Sequence, residues 1–433
     1  MSQFQPARGT RDFLPEEMSR RGYIIDSVRK AFESFGFEPM ETPAFESWEL
    51  LSKKGSGGDE IRDEIYYFRD KSDRELGLRF DLTVPLARVV ANNPQMKMPF
   101  KRYQIGRVWR YDRPQAGRMR EFMQMDVDTV GTERMDADAE CIAVAFEALK
   151  QLGFSKFEIR LNSRKVLNGM IEFAGIPAKK SKATFRILDK LEKISLGDIK
   201  RELKKAGLQS GTVTKLMHMI GVKGKPAATL SRISRQLKGI AIAEEGLREL
   251  GEISALAKSY GFGKNLVIDF SLVRGLDYYT GPIFEISVTA GKNVGSVVGG
   301  GRYDNLIGLY GGRQTPATGI SLGIERIYEI MKSENMFKDI ESRCLIFVIA
   351  VNDAVRKQVC DIARRLRKEC LRVEADVMGR DMRKQLEYAN KKGACCAVIV
   401  GPKEVKSRKY TLRDMKSGRE SKLSLDSIIK KIC

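Results

Sequence analysis

Apolar residues along this chain follow two rhythms, and the switches between them mark out its elements. Over residues 14–36, Ile24, Val28, Phe32 and Phe35 recur at helical spacing. Pro15 suits the first turn, Glu16 and Glu17 suit the positive N-terminal end, and Gly36 is a natural stop, so an amphipathic helix is expected. The extended segment that follows holds Pro39 and Pro43, which suits an edge or interface strand better than a central one. Residues Ile65–Phe68 and Leu76–Phe80, separated by DKSDRE, read as paired strands, and Leu82–Asn92 reads as a helix. From 100 to 130 the period is two. Tyr103, Ile105 and Trp109 share one parity, the polar loop DRPQAGRMR intervenes, and Met123, Met125 and Val127 share one parity again. That pattern predicts an antiparallel hairpin with an Arg-rich loop.

Residues 164–262 take up helical Leu/Ile spacing, broken by IGVKGKP, and strand patterning resumes only at Leu266–Phe270. This stretch reads as an insertion. Strands at Ile283–Val288 and Gly295–Val298 lead into Gly299, Gly300 and Gly301, and a helix from about Gly323 to Met331 closes the body. After Lys338, LIFVIAV, a Lys/Arg-rich helix to Cys370, LRVEADV, a helix over 381–391 and ACCAVIVG alternate in the manner of a parallel α/β unit. The expected architecture is an α+β domain on an antiparallel sheet (1–163 and 263–335), a helical insertion (164–262) and a C-terminal α/β domain (341–433).

Composition narrows the chemistry. A chain of 433 residues is too long for one ordinary core. No apolar run reaches the 18 or so residues of a membrane span, and MSQFQPARGTRDF resembles neither a signal nor a transit peptide, so a cytoplasmic location is expected. Seven cysteines form no CxxC pair, which points to buried reduced thiols rather than a zinc site or disulfide framework. The single histidine, His218, reads as a packed helix residue, and any His-based triad, metal cage or general base would have to be built on it. The net charge of +21 is localised: residues 164–240 carry 18 Lys/Arg against 5 Asp/Glu, and residues 341–433 carry 23 against 12. Two basic segments on a nearly neutral body favour a phosphate-rich ligand held at two places, though charge does not separate RNA from DNA.

Candidate chemistry sits on four stretches. On EFMQMDVDTV, period two puts Gln124, Asp126 and Asp128 on the face opposite Met123, Met125 and Val127. Such a row either is solvated or meets a polar ligand. The hairpin loop supplies Arg110, Arg113, Arg118 and Arg120, which are either solvated or grouped about an anion. SLVRGLDYYTGPIFEI places Arg274, Asp277, Tyr278 and Tyr279 between an apolar strand and a Gly-Pro turn, where at least one tyrosine can line a pocket. GGGRYDNL has neither dinucleotide-fingerprint nor Walker A spacing, but its glycines allow close backbone approach beside Arg302 and Tyr303. Arg326, near the start of a helix, could meet a triphosphate.

FKRYQIGRVWRYDRPQAGRMREFMQMDVDTVG resembles motif 2 of the class II aminoacyl-tRNA synthetases, and ATGISLGIERI resembles motif 3. The segment around Pro43 is similar to motif 1, which builds their dimer interface. RGTRDFLPEEM, LRFDLTVPLAR, LVRGLDYYTGPIFEI and GGGRYDNL, in that order, resemble the histidine-specific members, and the C-terminal segment matches their anticodon-binding domain in pattern. The resemblance implies a homodimer that ligates histidine to tRNA(His) through an adenylate, using ATP with Mg2+ and no protein-caged metal, with no membrane or DNA partner. Asp81, Thr83 and Gln124 would hold the α-amino group. Asp128 and Tyr279 would hold the imidazole, with Tyr278 and Tyr303 in the pocket wall. Arg110 would grip the α-phosphate beside the histidine, Arg118 and Arg326 would serve the rest of ATP, and Arg274 would bridge the histidine carboxylate and α-phosphate; Arg274 and Arg110 are the implied catalytic residues. Some family members have glutamate where Asp81 and Asp128 stand, which changes reach but not charge. The rival is a non-catalytic regulatory subunit of ATP phosphoribosyltransferase; such relatives lack the C-terminal domain and parts of RGLDYY.

Overall fold

The computed structural model describes residues 4–53, 63–112, 119–191, 193–273, 278–289, 295–337, 345–369 and 371–432. The chain divides into two compact units, Met1–Phe337 and Lys338–Cys433.

The first unit is organised by a nine-stranded sheet. Its strands are β1 (Glu38–Pro39), β5 (Phe100–Trp109), β6 (Glu121–Val130), β7 (Phe157–Ser163), β8 (Lys223–Gly224), β9 (Leu266–Asp269), β10 (Pro282–Val288), β11 (Ser296–Arg302) and β12 (Ala317–Gly323). Across the sheet they run β1-β5-β6-β12-β11-β10-β7-β9-β8. Every neighbouring pair is antiparallel except β1 with β5 and β7 with β9. Pro39, which has no N–H to give a ladder, lies on the outermost strand, as its chemistry requires. A small antiparallel sheet pairs β4 (Glu75–Leu78) with β2 (Phe45–Ser47) on one side and β3 (Tyr67–Arg69) on the other.

Helices cover one face of the large sheet. The helix Pro15–Ser34 buries Ile24, Val28 and Phe32 and is followed by Gly36 at φ +75°, in the left-handed region that glycine favours. It packs beside Met135–Gln151, and that helix beside Ala241–Ser259. Within residues 164–262 the helices are Arg164–Phe173, Ala178–Leu188, Leu196–Lys205, Ser210–Ile220, Pro226–Gln236 and Ala241–Ser259. The stretch is not wholly helical: Lys223 and Gly224, inside IGVKGKP, form β8 on the edge of the large sheet. Two residues are too short to show a period. His218 is exposed rather than packed, because Val213, Leu216, Met219 and Ile220 take the buried face of its helix.

The second unit holds β13 (Leu345–Ala350), β14 (Arg372–Ala375), β15 (Cys396–Val400), β16 (Tyr410–Asp414) and β17 (Glu420–Leu423), ordered β14-β13-β15-β16-β17. The first three are parallel, as expected, and β16 and β17 extend them antiparallel. Both faces are covered: Ile346, Val348, Ile362, Leu366 and Ile428 share one core, and Phe347, Ile349, Ala389 and Ala397 another. Cys141 is buried and reduced, but Cys360 is exposed and Cys395 is disulfide-bonded, so reduced buried thiols are not the rule. Sequence spacing carries no sign of a bond that tertiary contacts create. Among the described residues no helix is long and apolar enough to cross a membrane.

Candidate active site

Alternation along β6 sorts its side chains between the two faces of the sheet. Met125 and Val127 are fully buried. They lie level with Leu322 and Ile320 of β12. On the same side Thr318 and Arg302 bond Asp138 of the helix Met135–Gln151, so this is the helix-covered face. On the other side, Arg102, Asp128, Gly319, Gly301 and Ile283 form one row across β5, β6, β12, β11 and β10. Gln104, Asp126, Ser321, Gly299 and Glu285 form the next. Asp128, Gly319, Asp126, Ser321, Gly299 and Glu285 of these rows floor a cavity of about 620 Å³. The polar strand face is therefore buried at a cleft and not solvated.

Asp81, Thr83, Arg110, Gln124, Asp128, Tyr278, Tyr279, Tyr303 and Arg326 all line that cavity. Arg274 and Arg118 lie outside the described residues. Sequence reading missed Ser321 and Glu285 as lining residues and Arg102 beneath Asp128; Asp126 it placed on the polar face without giving it a role. The signal was available, since each stands in register with a residue already singled out or two positions from one. Arg302, beside Tyr303 in sequence, points the opposite way into the helix layer, as strand alternation demands.

Hydrogen bonding fixes these groups. Asp81 opens the helix Thr83–Asn92, its Oδ1 accepting from the Val84 N–H at 3.0 Å. Gln124 Nε2 donates to Ser321 Oγ at 2.8 Å. Tyr303 donates its hydroxyl to Asp128 Oδ1. Beneath Asp128 lies Arg102, fully buried, with Nη2 2.7 Å from Asp128 Oδ2 and donating to the Leu82 carbonyl at 3.0 Å. Gly319 makes the room: a Cβ there would lie 2.0 Å from Asp128 Oδ1. The rings of Tyr278 and Tyr279 meet at 4.9 Å, and Tyr278 meets Tyr303 at 5.9 Å. Arg110 donates its Nε to the Phe80 carbonyl at 3.0 Å with its guanidinium 5.4 Å from the Phe122 ring. Arg326 donates to the Ser296 carbonyl.

Three buried acceptors in this cavity have no donor among the described residues: Asp81 Oδ2, Gln124 Oε1 and Asp126 Oδ1. Burial raises the Asp81 carboxyl to about 6, against the pull of the Val84 N–H and then of Arg110. Burial likewise raises Asp126 to about 7 and Asp128 above its ordinary range, with Arg102 opposing both. Desolvated carboxylates of this kind are relieved by an entering cation that can also donate hydrogen bonds. An ammonium group answers that description. Guanidinium groups at Arg110 and Arg326 suit an anion in the same cavity.

Known proteins match this chain from end to end. The family model of histidyl-tRNA synthetase matches residues 9–327, and that of an anticodon binding domain matches residues 345–433. The histidine–tRNA ligase of Aeropyrum pernix is 39% identical over 99% of this chain and 97% of its own length. The crystal structure of histidyl-tRNA synthetase from Nostoc superposes with a TM-score of 0.86 at 29% identity, covering 100% of this chain and 99% of that one. A Bacillus halodurans structure described as an ATP phosphoribosyltransferase regulatory subunit/histidyl-tRNA synthetase shares the fold at 23% identity and a TM-score of 0.78. Full-length agreement with ligases, together with both family matches, means that this chain belongs to the histidyl-tRNA synthetase family.

Proposed function

We propose that this cavity seats histidine and ATP side by side and performs the ATP-dependent ligation of histidine to tRNA(His), a class II synthetase reaction. The observation that carries the reading is the meeting, in one cavity, of Arg110 and Arg326 with Asp81 Oδ2, Gln124 Oε1 and Asp126 Oδ1, which have no donor among the described residues. The α-ammonium of histidine meets Asp81, Thr83 and Gln124. The imidazole lies against Asp128 and Tyr279, walled by Tyr278 and Tyr303. Arg110 takes the α-phosphate of ATP, Arg118 and Arg326 take the rest of the nucleotide, and Arg274 bridges the two substrates, as the family resemblance implies.

In the first step a carboxylate oxygen of histidine bonds to the α-phosphorus while the bond to the diphosphate oxygen breaks. That carboxylate is already ionised at neutral pH, so no general base is required; alignment and positive charge on the phosphoryl oxygens are. A chain whose one histidine is exposed and does not line the cavity can do this chemistry. In the second step a ribose hydroxyl of the terminal adenosine attacks the carbonyl carbon and AMP leaves. Magnesium, carried by the triphosphate rather than by protein ligands, would supply positive charge alongside Arg110 and Arg326. Among the described residues no group of three or more His, Cys, Asp or Glu could cage a metal.

The tRNA is held at two basic places. The helix Leu196–Lys205 buries Ile199 and Leu203 and turns Lys200, Arg201, Lys204 and Lys205 outward, toward the acceptor arm in this reading. The α/β unit meets the anticodon. Two copies associate along the region resembling motif 1, and the enzyme works in the cytoplasm with the rest of translation. The regulatory-subunit alternative is not favoured, since the full-length relatives are ligases.

Exchange of labelled diphosphate into ATP should be stimulated by histidine and by no other natural amino acid; equal stimulation by a second amino acid would refute the reading. In the same assay Gly319→Ala, whose new methyl collides with the Asp128 carboxylate, should raise the histidine KM roughly 10- to 100-fold, the range for displacing one charged hydrogen-bonding group. An unchanged KM would show that Asp128 does not meet the substrate.

A further inference from the structure

The direction in which the Gln124 amide faces is set by groups behind it. Asp126 stands level with Ser321 across the β6–β12 pair. Gln124 Nε2 donates to Ser321 Oγ at 2.8 Å, and the Ser321 hydroxyl, level with Asp126, pulls against the upward shift of that carboxyl. An ionised carboxylate can only accept, so the serine must give its one proton to Asp126. The serine oxygen is then left as an acceptor, and only the NH2 end of the glutamine can meet it. The carbonyl end, Oε1, is turned away from Ser321 and is buried with no partner among the described residues. Asp126 is 3% exposed, and among the described residues no other carboxylate is found against Ser321.

We propose that Asp126 is a positioning residue for the amino-acid substrate: through Ser321 it holds Gln124 with its carbonyl oxygen toward the α-ammonium of histidine. This rests on the reading in which Gln124 meets that ammonium. An asparagine at 126 can offer its own NH2 to Ser321. The hydroxyl then donates to Gln124, the amide turns over, and an NH2 faces the ammonium. Ser321→Ala breaks the same relay while keeping the carboxylate, which separates orientation from simple charge attraction.

The test is histidine-dependent diphosphate exchange by the full chain at about pH 8, where an acid titrating near 7 is ionised. Asp126→Asn and Ser321→Ala should each raise the histidine KM roughly tenfold, with the ATP KM within about twofold, because uniform substrate binding is lost without a charge being removed from the nucleotide. The double variant should be no worse than the poorer single, since both act in one relay. The inhibition constant of imidazole propionate, histidine without its amino group, should not change. A merely structural role would weaken both ligands alike. Parallel loss of the des-amino analogue, additive effects in the double variant, or a histidine KM unchanged in Ser321→Ala would each overturn the proposal. Ser321→Ala, which removes one oxygen, decides the matter alone if Asp126→Asn does not fold. Gln124→Leu distinguishes the two readings. If it leaves the histidine KM unchanged, the placement of the ammonium fails; if it raises the KM while Ser321→Ala does not, only the relay fails.

Discussion

Replacing Arg110 with alanine should slow histidyl-adenylate formation by about three orders of magnitude, with the histidine KM changed far less. Loss of a single preorganised donor to developing negative charge costs about 10²–10³ in rate, and a charged, forked donor belongs at the upper end. Arg110 is held ready to meet a phosphate. Its Nε is tied to the Phe80 carbonyl and its guanidinium lies beside the Phe122 ring, so little freedom is lost on binding. It also opposes the desolvation of Asp81, so its removal should weaken ammonium binding somewhat by letting Asp81 hold a proton more readily. Arg110→Lys keeps the charge without the fork and should recover only part of the rate. Single-turnover formation of the adenylate reads the effect directly. A rate within tenfold of the parent would remove Arg110 from the reaction.

Much of this site was legible because strands announce themselves by period two. The β5–β6 hairpin, the parity of Gln124, Asp126 and Asp128, and the α/β alternation after Lys338 all follow from side chains that must choose between water and core. Where both sides of an element are buried the signal disappears. The helix Met135–Gln151 buries Ala137, Ala139, Ile142, Val144, Phe146 and Leu149 among others, on nearly every side, and no stripe marks it in the sequence. The run Gly299–Gly301 reads as the end of a strand, yet it lies inside β11, paired on both sides. A Cβ on Gly300 would lie 2.1 Å from the Gly319 carbonyl, so the glycines report crowding rather than a turn. Arg102 was hidden for a different reason. A charged residue reads as surface until its partner is known, and its partner, Asp128, stands on the next strand.

That partnership sets up the second large effect. Asp128→Ala should lower the stability of the first unit by about 3–5 kcal/mol, because it leaves a buried guanidinium without the carboxylate in contact with it. Arg102 is 0% exposed, and two of its nitrogens already have no hydrogen-bond partner among the described residues. The Leu82 carbonyl and the field of Asp126 remain, but neither replaces the paired carboxylate. The same substitution frees the Tyr303 hydroxyl and removes the carboxylate that the proposed function sets against the imidazole, so histidine-dependent exchange should also fall below detection. Stability and binding can be separated. An Arg102→Met/Asp128→Leu pair exchanges the buried ions for apolar groups of similar bulk, which often restores or exceeds the original stability. Urea midpoints should therefore recover in the double variant while histidine binding stays lost. If binding returned with stability, Asp128 would be a scaffold residue, and recognition of the imidazole would have to come from the tyrosines; if the single variant unfolded no earlier than the parent, Arg102 would have to be compensated elsewhere. Persistence of the binding defect in a stable protein is the result that ties this carboxylate to the substrate, and it is expected because Tyr303, Arg102 and Gly319 converge on Asp128 from three neighbouring strands or their ends and leave its remaining edge to the cavity.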